Sequence, residues 1–170
     1  LREAVGMFER AAEIEPDAGS RAEHLVEAAR CAEHYGDQAA AAEHYATARG
    51  LHESGGRARE ALSLRARELY AYRWTRPARE LIEPLRALHD ALDEVPDGAF
   101  ATAAAALAGV LYSDGDASAA EVIAGEAAGA ARAAGAHEVL GLALNCRGSA
   151  LVELGRPAQA LEEFRAALDV

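Results

Sequence analysis

Helix-breaking residues recur along this chain at a nearly constant spacing. Gly36-Asp37, Trp74-Thr75-Arg76-Pro77, Asp114-Gly115-Asp116 and Gly155-Arg156-Pro157 each interrupt an apolar pattern of helical period. With Gly36, Thr75, Gly115 and Gly155 as markers, the intervals are 39, 40 and 40 residues. A second set of breaks falls between them, at Pro16-Asp17-Ala18-Gly19, Gly55-Gly56, Pro96-Asp97-Gly98 and Gly135-Ala136. Two breaks per period mean two helices per repeat. The spacing predicts nine helices, over 1–15, 20–35, 38–53, 57–73, 77–93, 98–113, 117–134, 137–154 and 157–169, and no strand.

The last repeat is the clearest. Leu140, Leu144, Gly148 and Leu151 fall on one helical face, with Gly148 leaving room for a neighbouring backbone. Gly155 ends that helix and Pro157 suits the first turn of the next. Ala160, Phe164, Ala167 and Leu168 form the returning face. The same grammar places Leu25, Ala29 and Ala32 before Gly36, and Ala41, Tyr45 and Ala48 after it. It places Ala104, Ala108 and Leu111 before Gly115, and Ala120, Ala124 and Ala127 after it. In the second repeat Leu62, Ala66 and Leu69 lead and Leu81, Leu85 and Leu88 return. Its turn is two residues longer and lacks Gly, and Pro84 is expected to bend its second helix.

The string Gly148, Leu151, Gly155-Arg156-Pro157, Ala160, Phe164 and Ala167 resembles the tetratricopeptide repeat, as does Ala4, Phe8, Ala11 and Pro16. The resemblance covers nearly the whole chain. It is weak in the second repeat, it lacks the family's early aromatic throughout, and the period near 40 departs from the family's 34. It implies an all-α fold: a right-handed superhelical solenoid of antiparallel helix pairs, about four and a half repeats, forming a single domain over 1–170. The long, Ala- and Arg-rich repeats are similar to the arrays of large bacterial ATP-dependent LuxR-type regulators. The chain opens at Leu1 in the middle of a helical pattern, which suggests a piece of a longer protein. Its terminal helices, with Val5, Phe8 and Ala12 at one end and Leu161, Phe164, Leu168 and Val170 at the other, are expected to seek partners by self-association.

Composition narrows the chemistry. The chain has 17 basic side chains, all Arg, and a net charge of −11, which argues against a nucleic-acid surface along its whole length. Cys31 and Cys146 lie in apolar helical patterns without CxxC spacing and read as two buried thiols of a reducing cytoplasm. The apolar run from Ala99 to Tyr112 spans 14 residues, too few to cross a bilayer, and reads as a buried helix. Ala-Glu-His recurs at 22–24, 32–34 and 42–44, but His24 and His34 lie about 15 Å apart along a helix, too far for one metal ion. These histidines read as solvated or groove-lining. No phosphate loop and no assignable catalytic constellation occur, so no enzyme activity, metal or cofactor is expected.

The segment Arg57–Arg86 carries eight Arg against four Glu, with Tyr70, Tyr72 and Trp74 interleaved. Such a patch can bind nucleic acid or an acidic or phosphorylated peptide. Alternatively it is a solvated face whose Arg residues pair with Glu of neighbouring repeats, with Trp74 plugging the irregular turn. The resemblance implies a concave surface lined by the first helix of each repeat. It would comprise Glu23, Val26, Arg30, Glu33 and His34; Glu60, Ser63, Arg67 and Tyr70; Thr102, Gly109 and Tyr112; and Asn145, Ser149 and Val152. The binding residues expected within it are Arg30, His34, Arg67, Tyr70, Tyr112, Asn145 and Ser149. Their chemistry suits a peptide, a protein, or a neighbouring domain of the same chain. Chaperone-binding relatives clamp a terminal carboxylate with Lys and Asn; this chain has no Lys and one Asn. Two functions follow from the resemblance: a non-catalytic interaction scaffold, or an effector-sensing array of a multidomain regulator or ATPase-coupled signalling protein.

Overall fold

A computed structural model describes residues 1–93 and 95–170. They form nine α-helices and a single 3-10 turn, with no strand among the described residues. In order these are α1 (Arg2–Ile14), α2 (Ala18–Tyr35), α3 (Gln38–Ser54), α4 (Ala58–Ala71), the turn Tyr72–Trp74, α5 (Ala78–Leu92), α6 (Gly98–Asp114), α7 (Ala117–Ala134), α8 (His137–Glu153) and α9 (Pro157–Leu168). The helices agree with the sequence expectation to within two residues at every end. Helices pack on their neighbours in sequence, and contacts gather into two compact units, Leu1–Thr75 and Arg76–Val170.

The joints explain the agreement. Gly36 ends α2 in the left-handed region at φ 94°. There its amide donates to the Glu33 carbonyl and the next amide, that of Asp37, reaches back to the Ala32 carbonyl. Asp37 then caps α3 by accepting the Ala40 amide at 3.1 Å. The joint at Gly115-Asp116 is built identically, with φ 91° at Gly115 and the Ala119 amide on Asp116 Oδ1 at 3.0 Å. Glycine tolerates the left-handed turn, and the aspartate satisfies amides that the next helix leaves open. A two-residue joint of this kind turns the chain back antiparallel on itself.

The core of the first unit is mostly alanine: Ala22, Ala29, Ala32, Ala41, Ala42 and Ala48 pack around Tyr45, with Leu64 and Ala71 of α4. Among the described residues Tyr45 is the one large ring with no exposure at all. At about 25 cal/mol per Å2 its burial outweighs that of several alanines. Val5 of α1 and Val26 of α2 pack on this cluster. That corrects two expectations: Val5 is used against the following helices, and Val26 belongs to the core edge rather than to an open lining. The large apolar side chains that α1 leaves in water are Met7 and Ile14. Where the second repeat lacks a glycine, α4 tightens into the 3-10 turn, and the Thr75 amide and hydroxyl both donate to the Tyr72 carbonyl at 2.9 and 3.2 Å.

In the second unit α6 is buried nearly all round, from Phe100 to Ala108 without interruption, and contacts both α7 and α8. Asp97 caps it with two bonds, to the Ala99 and Phe100 amides at 2.9 and 3.1 Å. Thr102, expected on an open lining, is buried, and its hydroxyl bonds back to the Gly98 carbonyl at 2.8 Å. Leu81, Leu85, Leu88 and Leu92 form the buried face of α5, which runs on through the exposed Pro84 as one helix. Gly148 makes room for a side chain rather than for a backbone. A Cβ built there would lie 2.5 Å from Phe164 Cε1. Leu168, expected on the packing face of α9, is 87% exposed. No helix among the described residues is long and apolar enough to cross a membrane.

Candidate interaction surfaces

Of the expected binding residues, Arg30, His34, Arg67 and Tyr70 fall in the first unit and Tyr112, Asn145 and Ser149 in the second. In the first unit the buried Tyr45 hydroxyl is a hub. It donates to Glu33 Oε2 at 2.9 Å and accepts from Arg67 Nη1 at 3.4 Å. The Arg67 guanidinium also lies over the Tyr45 ring, 5.9 Å from its centre. A side chain from α3 thus ties α2 to α4, and brings Glu33 and Arg67 to one place. Burial holds the Tyr45 phenol well above its usual pKa, and Glu33 adds to this against the pull of Arg67. The hydroxyl therefore stays a neutral donor, and Glu33 remains its acceptor. Sequence reasoning put Tyr45 in the core for its ring; the demand of its hydroxyl for a partner was the signal that could have found the hub.

Arg30 donates to Glu27 on its own helix at 2.7 Å, and His34 is exposed at the last turn of α2. Buried Glu68 is held between Arg49 of α3, at 3.2 Å, and Arg65 one turn back on α4. Arg57 reaches Gly19, at the start of α2, where a Cβ would lie 2.9 Å from Asp17 Oδ2 and 3.0 Å from the Arg57 guanidinium. The arginine-rich segment is therefore divided. Arg65 is committed to an ion pair, but with Glu68 of its own helix rather than with a neighbouring repeat, whereas Arg67 sits on an aromatic ring. Trp74 departs from the solvated-face reading. It is 69% exposed and plugs nothing.

In the second unit Tyr112 of α6 is half-buried beside Ala108, Ala124 and Cys146. Burial and then a hydrogen bond to Glu153 of α8 raise its phenol pKa. Ser149 donates to the Asn145 carbonyl at 3.0 Å, and the Asn145 side chain is exposed. Tyr112 and the Glu153 end of α8 thus share one side of this unit. Arg147 makes a second tie, donating to Glu121 of α7 at 3.0 Å and to Glu163 of α9 at 3.0 Å. Nothing in the repeat pattern marked this arginine.

The remaining candidates for chemistry resolve individually. Both cysteines are free thiols. Cys146 is buried, and burial pushes its pKa up to about 11, away from nucleophilic use; Cys31 is only half-buried, contrary to expectation. His24 is half-buried, and His44, expected to be solvated or groove-lining, faces Glu9 of α1 with Nε2 3.2 Å from the carboxylate. Among the described residues no group of three His, Cys, Asp or Glu side chains could hold a metal ion.

No protein family, curated protein or solved structure matches the chain.

Proposed function

We propose that the chain is a tetratricopeptide-like scaffold that binds a peptide or a partner domain and performs no catalysis. In this reading the helix pairs are about four and a half repeats of a right-handed solenoid with a period near 40 residues. Support comes above all from the Gly-Asp joint. The same two residues, with the same capping bonds and nearly the same φ, close successive helices at Gly36-Asp37 and again at Gly115-Asp116. The two joints lie 79 residues apart, close to two periods of 40, as a duplicated helix pair would leave them. Repeat scaffolds recognise partners through side chains set on a rigid backbone. Arg67, held on Tyr45 and levelled with Glu33, is such a side chain in the first unit; Tyr112 is its counterpart in the second.

A selection from a random peptide library tests this reading. The expected result is a consensus sequence that binds with micromolar affinity, as is typical of a small interface. Binding should weaken in Arg67→Ala/Tyr70→Ala while the far-ultraviolet circular dichroism stays unchanged. Failure to enrich any consensus, or affinity indifferent to that double substitution and to Tyr112→Ala, would overturn the assignment of these surfaces.

A further inference from the structure

The 3-10 turn at the end of the first unit exposes a tryptophan. Trp74 is the chain's single Trp, and it is 69% exposed although its ring could bury more apolar area than any other side chain here. It does not stand alone. The Arg73 guanidinium lies 3.7 Å from the centre of the Tyr70 ring and 4.8 Å from that of Trp74. Its Nη1 donates to the Tyr70 carbonyl at 3.0 Å. Three contacts therefore fix a side chain that ordinarily has many rotamers, and the entropy cost of ordering it is met before any partner arrives. With Nη1 taken by the Tyr70 carbonyl, Nε and Nη2 are the in-plane pair whose fork matches a carboxylate.

From Leu69 to Thr75, where the first unit ends, the sequence carries Arg73 and no acid. The preceding acid, Glu68, is buried and bonded to Arg49 and Arg65. Trp, Tyr and Arg are also the residue types that dominate binding hot spots.

We propose that Tyr70, Arg73 and Trp74 form a docking site for an acidic peptide segment. Arg73 takes a carboxylate and the open part of the Trp74 ring covers an apolar neighbour in the peptide. The site deepens the scaffold reading by naming the chemistry of one partner. A short acidic segment fits better than a nucleic acid. Phosphate backbones gain affinity from many basic contacts at once, and this chain carries 28 acids against 17 Arg.

The single tryptophan supplies the assay. The whole chain is titrated with a blocked five-residue peptide of four carboxylates around one leucine, with acetyl and amide ends so that no terminal carboxylate takes part. The controls are the Asn/Gln counterpart of that peptide and a ten-residue oligothymidylate. The expected result is a saturable change in Trp74 fluorescence with the acidic peptide, at least about tenfold weaker for the neutral peptide and for Arg73→Gln. Arg73→Lys, which keeps the charge but loses the planar fork, should fall between wild type and Arg73→Gln, and stands in for it if circular dichroism shows that Arg73→Gln is unfolded. No saturable change, equal response to the neutral peptide, or tighter binding of the oligonucleotide overturns the proposal. A library-selected peptide that binds where the acidic one does not would overturn the acidic chemistry alone and leave the scaffold reading standing.

Discussion

Gly148→Ala sets two opposed effects against each other in the interior of α8. Removing a glycine from a helix interior stabilises it by about 0.5–1 kcal/mol, because alanine has less backbone freedom to lose. Here the new methyl would meet the Phe164 ring of α9 at 2.5, 2.8 and 2.9 Å from three ring carbons, all inside van der Waals contact. Overpacking of this kind costs about 1–3 kcal/mol. Relief would require the ring, and with it α9, to move away from α8. The net expectation is destabilisation of the second unit by about 0.5–2 kcal/mol. The cause is tested in a double-mutant cycle with Phe164→Ala, followed by urea unfolding monitored at 222 nm. Hydrogen exchange over residues 140–168 localises the effect to α8 and α9. Once Phe164 is truncated the clash disappears, and Gly148→Ala should become stabilising by about 0.5–1 kcal/mol. A Gly148→Ala that stabilises the wild-type chain, or that has the same effect in both backgrounds, would refute the assigned packing.

Tyr45→Phe should destabilise the first unit by about 1 kcal/mol through loss of the bond to Glu33, as read by urea unfolding, with no change in exchange over α6–α9. Gly115→Ala should cost about 1–2 kcal/mol because its φ of 91° is left-handed; Ala at Gly129, which has ordinary φ and open space, should not. His52 gives a pH signature. Burial, and after it Arg57, lowers its pKa below 6.5, against the weaker pull of Glu60 and Glu23. As pH falls below about 6.5 the unfolded chain takes up the proton first. His52 thus withdraws stability below that pH, down to its folded pKa, and has no effect above it. The difference in unfolding free energy between His52→Gln and wild type should therefore shift in favour of the variant between pH 7 and pH 5. A flat difference would show that the imidazole is not held neutral by burial.

Much of the fold was legible in the sequence because its punctuation is literal. Gly36-Asp37 and Gly115-Asp116 state both the end of one helix and the cap of the next, and Asp97 announces α6. Where punctuation is missing, legibility fails. The turn after α4 lacks a glycine, so neither the 3-10 geometry nor the exposure of Trp74 could be read from pattern. Periodicity also assigns faces without saying what meets them. It placed Gly148 on the packing face of α8 but could not name the Phe164 ring, and it placed Leu168 on a packing face that the structure leaves in water. The surface residues were least legible. Arg67 was expected on an open lining, whereas the structure sets it over the Tyr45 ring with Nη1 on the hydroxyl of a residue 22 positions away. Arg73 became notable only when its stacking partners were seen in three dimensions.

The two-residue Gly-Asp joints also bear on how the chain acquires its structure. Helices that pack on their sequence neighbours bring together residues few positions apart, so little loop entropy opposes each step. Topologies dominated by such local contacts fold in microseconds to milliseconds. During synthesis, α2 and α3 can pair as soon as Ser54 has emerged, and α4 then finds α3 already in place. A chain built this way exposes each apolar face only briefly, a useful property for one whose core is made largely of alanine and has little cohesion to spare.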